Sequence, residues 1–476
     1  MRKIICISTW ALAILGSTRV PAQEPTSTYR SNSQRTGHAD NIPGPIKPNV
    51  LWVMKTKEHY IASPVVAGDR LFISGLGGFN TALFTCLDTS AKIEKRVLWT
   101  KIAPVLSQPT VSSPAVVGDK LIFGDGMHQN NGATLHCLEV KTGKRVWQLP
   151  MPGNLIHMEG SPTVVGNVAY VGAGSGGVIA VDINKLTHDG KEVTAAEAQD
   201  VLDKAWKKME ADFELRKAKK DPFAVPPSED RLPKILPKLI WQQGKEKWHV
   251  DAPVAAVGGK ILIASAFLDK EKEGDRAVFC VDAKSGGIDW KTPLKLNPWG
   301  GPSVSGKTAV VTTSNVNYDV TAIGKSNKGS VAALDVGTGN VIWSKDLTGG
   351  VVSCAALADG AAVVTATDGK VRAFELATGE RRWIYDTKPK QPFFAPVAIA
   401  GNVVYAGDLR GVIHAIDLKT GSGLWTLDLG VDKSVGTPGM IYGGPVIQNG
   451  RLYVALCNLE GAFANQATAV VCVGEK

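Results

Sequence analysis

Cysteine is scarce in this chain, with seven in 476 residues and no two of them adjacent. No Cys-x-x-Cys pair occurs, which excludes a c-type haem attachment and a paired-cysteine zinc site. So few cysteines in so long a chain also exclude a disulfide scaffold. Beyond the first residues no hydrophobic run approaches the roughly 20 residues that cross a bilayer, so no transmembrane segment is expected. The formal net charge is +9, yet the basic residues are scattered singly. Without a basic stripe or interleaved aromatics, nucleic acid is not an expected partner. Glycine, by contrast, is plentiful at 51 residues. It recurs at fixed offsets, which points to tight turns.

The N-terminus reads as a cleavable signal peptide. Arg2 and Lys3 form a positive start, residues 4–16 a short apolar core, and Val20-Pro21-Ala22 a small-residue cleavage site before Gln23. Residues 1–22 are therefore expected to be removed and the mature chain, residues 23–476, to be periplasmic or secreted. Cys6 lies too early to be a lipidated cysteine. Removing Arg2, Lys3 and Arg19 lowers the formal charge from +9 to +6. Of the remaining cysteines, Cys86, Cys137, Cys280 and Cys472 share one repeat position, where other units carry Ala333, Ala373 and Ala415. They read as small buried residues. Only Cys457 and Cys472 are placed for a bridge, and spacing alone cannot say whether it forms.

A repeat emerges when the chain is aligned on its strand starts. Ser63-Pro64, Ser113-Pro114, Ser161-Pro162, Ala252-Pro253, Gly301-Pro302, Ser353-Cys354, Ala395-Pro396 and Gly444-Pro445 follow one another at 50, 48, 91, 49, 52, 42 and 49 residues. Each start leads into an alternating apolar strand and a two-residue turn such as Gly68-Asp69, Gly166-Asn167 or Asn449-Gly450. Such pairs tolerate the positive φ of a hairpin turn. A second strand follows, for example residues 120–124 and 403–407, with period-two alternation. A third ends in an acidic residue before Thr/Ser-Gly, as in Glu139 with Thr142-Gly143, Asp335 with Thr338-Gly339 and Asp417 with Thr420-Gly421. The carboxylate can accept from nearby amides while glycine closes the turn. Four residues after that glycine comes Trp147, Trp290, Trp343, Trp383 or Trp425; Trp99 and Trp241 fill the same place elsewhere.

One unit is thus a four-stranded antiparallel meander of about 48 residues, within the period of propeller blades. A lone sheet cannot bury both faces, whereas sheets stacked around an axis can, with the indoles in the seams. The predicted fold is all-β, an eight-bladed β-propeller. The last unit lacks a Trp strand, and the stretch Asn49-Val50-Leu51-Trp52-Val53-Met54 is the unpaired candidate to complete it and remove two exposed edges. The 91-residue gap holds an insertion in blade 3, residues 190–238. Thr194 and Glu197 form a capping box, the helix runs to about Lys220, and a Pro-rich return follows. Leu202, Trp206, Met209 and Phe213 make one apolar stripe, which either packs on the chain's own propeller or docks a partner.

The recurring Ala/Cys-x-Asp-x-x-Thr-Gly-x-x-x-Trp unit resembles the tryptophan-docking repeat of the pyrroloquinoline-quinone (PQQ) propeller family. The lead-in Asn32-Ser33-Gln34-Arg35-Thr36-Gly37 is similar to the stretch before the first blade in that family. The resemblance covers nearly all of residues 30–473. It implies one of two functional branches: quinoprotein dehydrogenases holding PQQ and Ca²⁺ in an axial funnel, or cofactor-free scaffolds resembling the outer-membrane barrel-assembly lipoprotein. Fold does not choose between them.

The funnel mouth is where a ligand is expected, lined by the residues just before each inner strand. Blades 3 and 4 bring His157, Glu159, His249 and Asp251 to one side; blades 5, 7 and 8 bring Trp299, Phe393, Phe394 and Tyr442. Together they offer stacking faces and a few convergent polar groups. Two carboxylates are too few to assign a Ca²⁺ site. The adjacent Cys-Cys pair that many of the dehydrogenases carry under the cofactor is missing. So is the lipidation signal usual in the scaffold branch.

The function expected is therefore a non-catalytic, exported propeller without a cofactor, binding a protein, a peptide or a small-molecule ligand at its funnel face. The alternative is a PQQ- and Ca²⁺-dependent oxidoreductase with Glu159 or Asp251 as general base and Trp299 on the quinone. A lyase or carbohydrate-binding propeller using the aromatic rim is a third possibility.

Overall fold

The computed structural model describes residues 26–475 except 40, 41, 79, 80, 91, 129 and 325; the signal-peptide reading of residues 1–22 falls outside them. Among the described residues the strands form eight antiparallel sheets around one axis. Their inner strands, Val65–Ala67, Ala115–Val117, Thr163–Val165, Ala255–Val257, Pro302–Ser305, Ala356–Ala358, Ala398–Ala400 and Val446–Gln448, number blades 1 to 8. The eighth blade closes as predicted: Asn49–Thr56 pairs antiparallel with Thr468–Gly474, and Trp52 stands opposite Cys472. Strands from near the two ends of the chain thus share one sheet, and Thr468–Gly474 has a partner on each side.

The seams repeat one contact. Seven of the eight fourth-strand indoles donate Nε1–H to a backbone carbonyl of the next blade: Trp99 to Val140 (3.2 Å), Trp147 to Ile183 (3.2 Å), Trp241 to Ala283 (3.1 Å), Trp290 to Val336 (2.9 Å), Trp343 to Leu376 (2.9 Å), Trp383 to Leu418 (2.8 Å) and Trp52 to Thr89 (3.2 Å). Every acceptor is the residue just after the acidic turn position. The turn itself forms as read, with Asp335 Oδ1 accepting from Thr338 N at 2.9 Å. Its glycine does more than close the turn. A Cβ on Gly379, at φ +70°, would lie 2.5 Å from the Trp343 ring, so the indole of one blade seats directly on the turn glycine of the next.

The lead-in has a larger role than a preface to blade 1. Thr26–Thr28 adds to the inner strand of blade 2. The carbonyls of Ser33, Gln34, Thr36 and Gly37 then accept from Ala256, Val304, Leu357 and Ile399, the inner strands of blades 4, 5, 6 and 7. Arg35 is fully buried. It donates to the carbonyls of Tyr29 (2.6 Å), Ser161 (3.0 Å), Pro162 (2.9 Å) and Val254 (3.2 Å), and to the Thr28 hydroxyl (2.9 Å). Burial lowers its pKa to about 10, the mark of a guanidinium held by neutral acceptors. The segment is a plug in the axial channel. On the side of blades 1, 7 and 8 it leaves a cavity of about 230 Å³, lined in part by Tyr29, Arg30, Pro396 and Gln448.

The insertion leaves blade 3 between its third strand, Val178–His188, and its fourth, Leu236–Gln243. It contains a helix, α1, Ala195–Ala218, opened by the Thr194/Glu197 capping box. Ala198 and Leu202 are buried against the blade 2–blade 3 core, and Trp206 and Met209 pack on it in part. Phe213, the fourth member of the predicted stripe, does not reach that core; Lys217 lies over its ring instead, at 5.8 Å. The first half of α1 therefore packs on its own propeller and the second half stands clear. Cys457 and Cys472 are both buried free thiols, without the bridge that their hairpin position allowed. No helix of the described residues is long and apolar enough to cross a membrane.

Candidate functional site

The segments entering the inner strands are pinned at the mouth by single β-bridges. His249 pairs with Ala266, Asn297 with Ser314, Met440 with Cys457, and Gly174 with Val250 of the adjoining blade. Each bridge fixes register, so the residues between it and the inner strand are presented to the axis. His249 N–H is additionally held by Ser265 Oγ at 3.0 Å.

The polar side of the mouth is built by three blades. His157 enters from blade 3, His249 and Asp251 from blade 4, and His128 from the loop after the second strand of blade 2. Their donor atoms all lie within 4.8 Å of one another. His157 Nε2 is 2.8 Å from Asp251 Oδ1, and His249 Nε2 is 3.0 Å from the same oxygen. His157 and His249 are fully buried. Glu159 stands just outside, 4.0 Å from His157 Nε2, and its carboxylate accepts the backbone N–H of His128. That bond ties the blade 2 loop to blade 3.

Charge follows this geometry. Burial works against a His157 imidazolium, but the Asp251 charge and hydrogen bond, helped by Glu159 and Glu273, outweigh it and carry the pKa to about 9. Burial alone would raise the Asp251 carboxyl; the His249 and His157 imidazoles hold it well below the usual range. His128 moves the other way, its pKa lowered by burial despite Asp251 and further by the two other histidines. Glu159 is raised, mainly by burial. Several polar atoms here have no hydrogen-bond partner among the described residues: both ring nitrogens of His249, Nδ1 of His157, Oε1 of Glu273 and Nε1 of Trp299. Buried polar atoms are normally paired, so this concentration marks the mouth.

The aromatic side is closed on itself. Phe394 is fully buried, edge-on to Tyr442 at 5.4 Å and to Tyr318 at 5.7 Å. Tyr442 donates to Glu460, and Tyr318 O–H to the Val352 carbonyl at 3.0 Å. Trp299 packs in part on this cluster.

His157, Glu159, His249 and Asp251 are thus brought together, as are Trp299, Phe394 and Tyr442. Phe393 is not; it turns into the blade 6–blade 7 seam, edge-on to His414 at 5.7 Å. Adjacent residues in an extended segment point opposite ways, so only one of Phe393 and Phe394 can face the axis. His128 was missed by sequence reasoning, because it sits on an irregular loop outside the aligned inner-strand positions. Arg35 was legible only as part of a resemblance.

The family model described as outer membrane protein assembly factor BamB, a PQQ-like repeat model, matches residues 48–202 and 315–473. The chain belongs to this PQQ-like repeat family. Among family relatives, the outer membrane protein assembly factor BamB of Burkholderia pseudomallei is 28% identical over 223 residues, 45% of this chain and 52% of that protein. The tetrathionate hydrolase of Acidithiobacillus ferrooxidans is 24% identical over 364 residues, 71% of this chain and 62% of that one. The chain therefore spans less than two thirds of either relative's length. Among solved structures, a europium-containing methanol dehydrogenase superposes with a TM-score of 0.61 at 14% identity, over 94% of this chain and 98% of that one. That likeness shows the fold alone. An assembly factor and a tetrathionate hydrolase thus stand among the relatives and a dehydrogenase among the fold neighbours, and His249 and Asp251 lie in the stretch that the family model does not match.

The residues at the mouth do not fit the PQQ–Ca²⁺ pair. Ca²⁺ takes six to eight oxygens, whereas the polar side offers three imidazoles and Asp251, with Glu159 engaged by His128 N–H. Trp299, the ring expected on a quinone, is itself partly packed against the Phe394–Tyr442 cluster.

Proposed function

We propose that this chain is an exported binding propeller whose funnel mouth takes a polypeptide or a small ligand, with no quinone redox centre in its work. One observation carries the reading: five of the thirteen buried side-chain polar atoms without partners among the described residues, on His249, His157, Glu273 and Trp299, lie at the mouth. Unpaired donors and acceptors cost about 1–3 kcal/mol each, and a bound ligand supplies the missing bonds. The assembly-factor relatives support a polypeptide as the ligand, since their name gives them a role in building other proteins into a membrane. Export rests on the signal-peptide features of residues 1–22.

Photo-crosslinking tests the site. A photoreactive residue at position 299 should yield a discrete adduct in the cell envelope, whereas one at Lys284, on an exposed turn far from the axis, should not. Equal labelling from both positions would remove the mouth from consideration. Stoichiometric PQQ binding with Ca²⁺, accompanied by dye-linked alcohol oxidation, would overturn the reading in favour of the dehydrogenase branch.

A further inference from the structure

We propose that His128, His157, His249 and Asp251 form a site for one divalent transition-metal ion of the zinc and cobalt kind. The inference rests on the reading of the mouth as a binding surface and names the class of ligand held on its polar side. The donor set decides the class. Imidazole nitrogens suit borderline ions such as Zn²⁺ and Co²⁺, while hard Ca²⁺ and Mg²⁺ require oxygen cages.

The geometry is close to assembled. With metal–ligand bonds of about 2.0–2.1 Å, tetrahedral donors sit about 3.3 Å apart. Two of the contacts here, His157–Asp251 and His249–Asp251, are 2.8 and 3.0 Å, and all four donor atoms fall within 4.8 Å. Closing the widest separation takes about 1.5 Å, within reach of a side-chain rotation.

A purely structural histidine–aspartate network explains the cluster less well. Asp251 is the one carboxylate among the four converging groups, with Glu159 4.0 Å from His157, and the fully buried His249 keeps neither ring nitrogen in a hydrogen bond, its Nε2 lying near Asp251 but off bonding geometry. Folding alone has no use for that cost; a metal ion bound at Nε2 would satisfy one of the two nitrogens. The backbone also makes room. A Cβ at Gly274, φ +97°, would lie 2.1 Å from the Ala266 carbonyl and 3.0 Å from His249 Cβ, so only glycine lets that turn close against the base of the His249 side chain. Glu159, accepting from His128 N–H, is the positioning residue that holds the blade 2 contribution in place.

Co²⁺ and Zn²⁺ titrations of the chelator-stripped full-length protein test the site. The expected result is one Co²⁺ per chain with the intense visible bands of a low-symmetry nitrogen–oxygen site, displaced by Zn²⁺ and unaffected by excess Ca²⁺. His249→Ala should abolish the bands. Because His249 is buried and its loss could unfold the blade, His128→Ala on the half-buried loop serves as the second variant and should do the same with an unchanged circular dichroism spectrum. Glu159→Gln should weaken Co²⁺ binding about tenfold or more while keeping its spectrum. Absence of stoichiometric Co²⁺ binding, or bands that survive both histidine variants, would overturn the proposal. A crosslink at position 299 persisting in a protein that binds no Co²⁺ would sink the ion alone and leave the mouth as a binding surface.

Discussion

The indole N–H of Trp425 donates to the carbonyl of Pro45 at 2.8 Å. In the other seven seams that acceptor belongs to the turn of the following blade. In blade 8 the lead-in supplies the carbonyl instead. The ring is therefore closed twice, by the Asn49–Thr56 strand and by this one bond.

The docking bond is separable from the ring that makes it. Trp383→Phe keeps an aromatic in the seam but loses the 2.8 Å bond to the Leu418 carbonyl, and should cost about 1 kcal/mol. Trp383→Ala also leaves a cavity and should cost about 3–5 kcal/mol. Urea unfolding of the two variants checks the order; a Phe variant as stable as the parent would mean the bond contributes nothing.

Turn glycines are predicted to differ by what lies above them. Gly68 is at φ +60° with nothing within 4 Å of where a Cβ would stand, whereas Gly379, at φ +70°, has the Trp343 ring at 2.5 Å. Gly68→Ala should cost about 1 kcal/mol, the left-handed backbone strain alone. Gly379→Ala adds the clash and should lose about 3 kcal/mol or more. Matching midpoints in thermal unfolding would refute the seating role.

Arg35 is expected to be irreplaceable by charge. Arg35→Met leaves the Tyr29 and Ser161 carbonyls without a donor and takes one of two from Pro162 and Val254, and should lower stability by about 3 kcal/mol or more. Arg35→Lys should rescue little of this, since one ammonium cannot reach acceptors contributed by the lead-in and by blades 3 and 4. Fluorescent-dye binding to exposed apolar surface should rise in both variants as the plug loosens.

Acid should weaken blade 6 through one pair. Burial would raise the Asp368 carboxyl, but the hydrogen bonds and charge of Arg372, with Thr348 and Lys370, outweigh it and lower the pKa below 3.8. A depressed folded-state value stabilises above the unfolded pKa, and that gain is lost as pH falls from about 4 through the folded value. In Asp368→Asn the drop in stability between pH 5 and about 2 should be shallower than in the parent. An identical slope would show that other carboxylates govern the acid limb.

Much of this architecture was legible in the chain. Strand alternation, the acidic-x-x-Thr/Ser-Gly turn and the Trp four residues on are local, and eight strand starts in register, five of them followed by the complete turn and Trp, leave little freedom in blade number. The pairing of Trp52 with Cys472 followed from edge satisfaction. The candidate site was legible only where it obeyed the repeat. His157, Glu159, His249 and Asp251 occupy aligned positions, so their convergence could be counted off. His128 lies on a loop whose path depends on Glu159, and Phe393 differs from Phe394 only in which way one extended residue points.

Read alone, then, the chain carried its blades, their closure and the blades that share a polar side. Those follow from period, turn chemistry and the cost of a bare sheet edge, all of which are short-range. Tertiary structure decided that Arg35 and its neighbours plug the axis, that the turn glycines seat the preceding blade's indoles, and that the aromatic rim closes on itself. It also decided that three imidazoles meet one carboxylate. Each of these depends on distances between residues of different blades, and no local pattern encodes them.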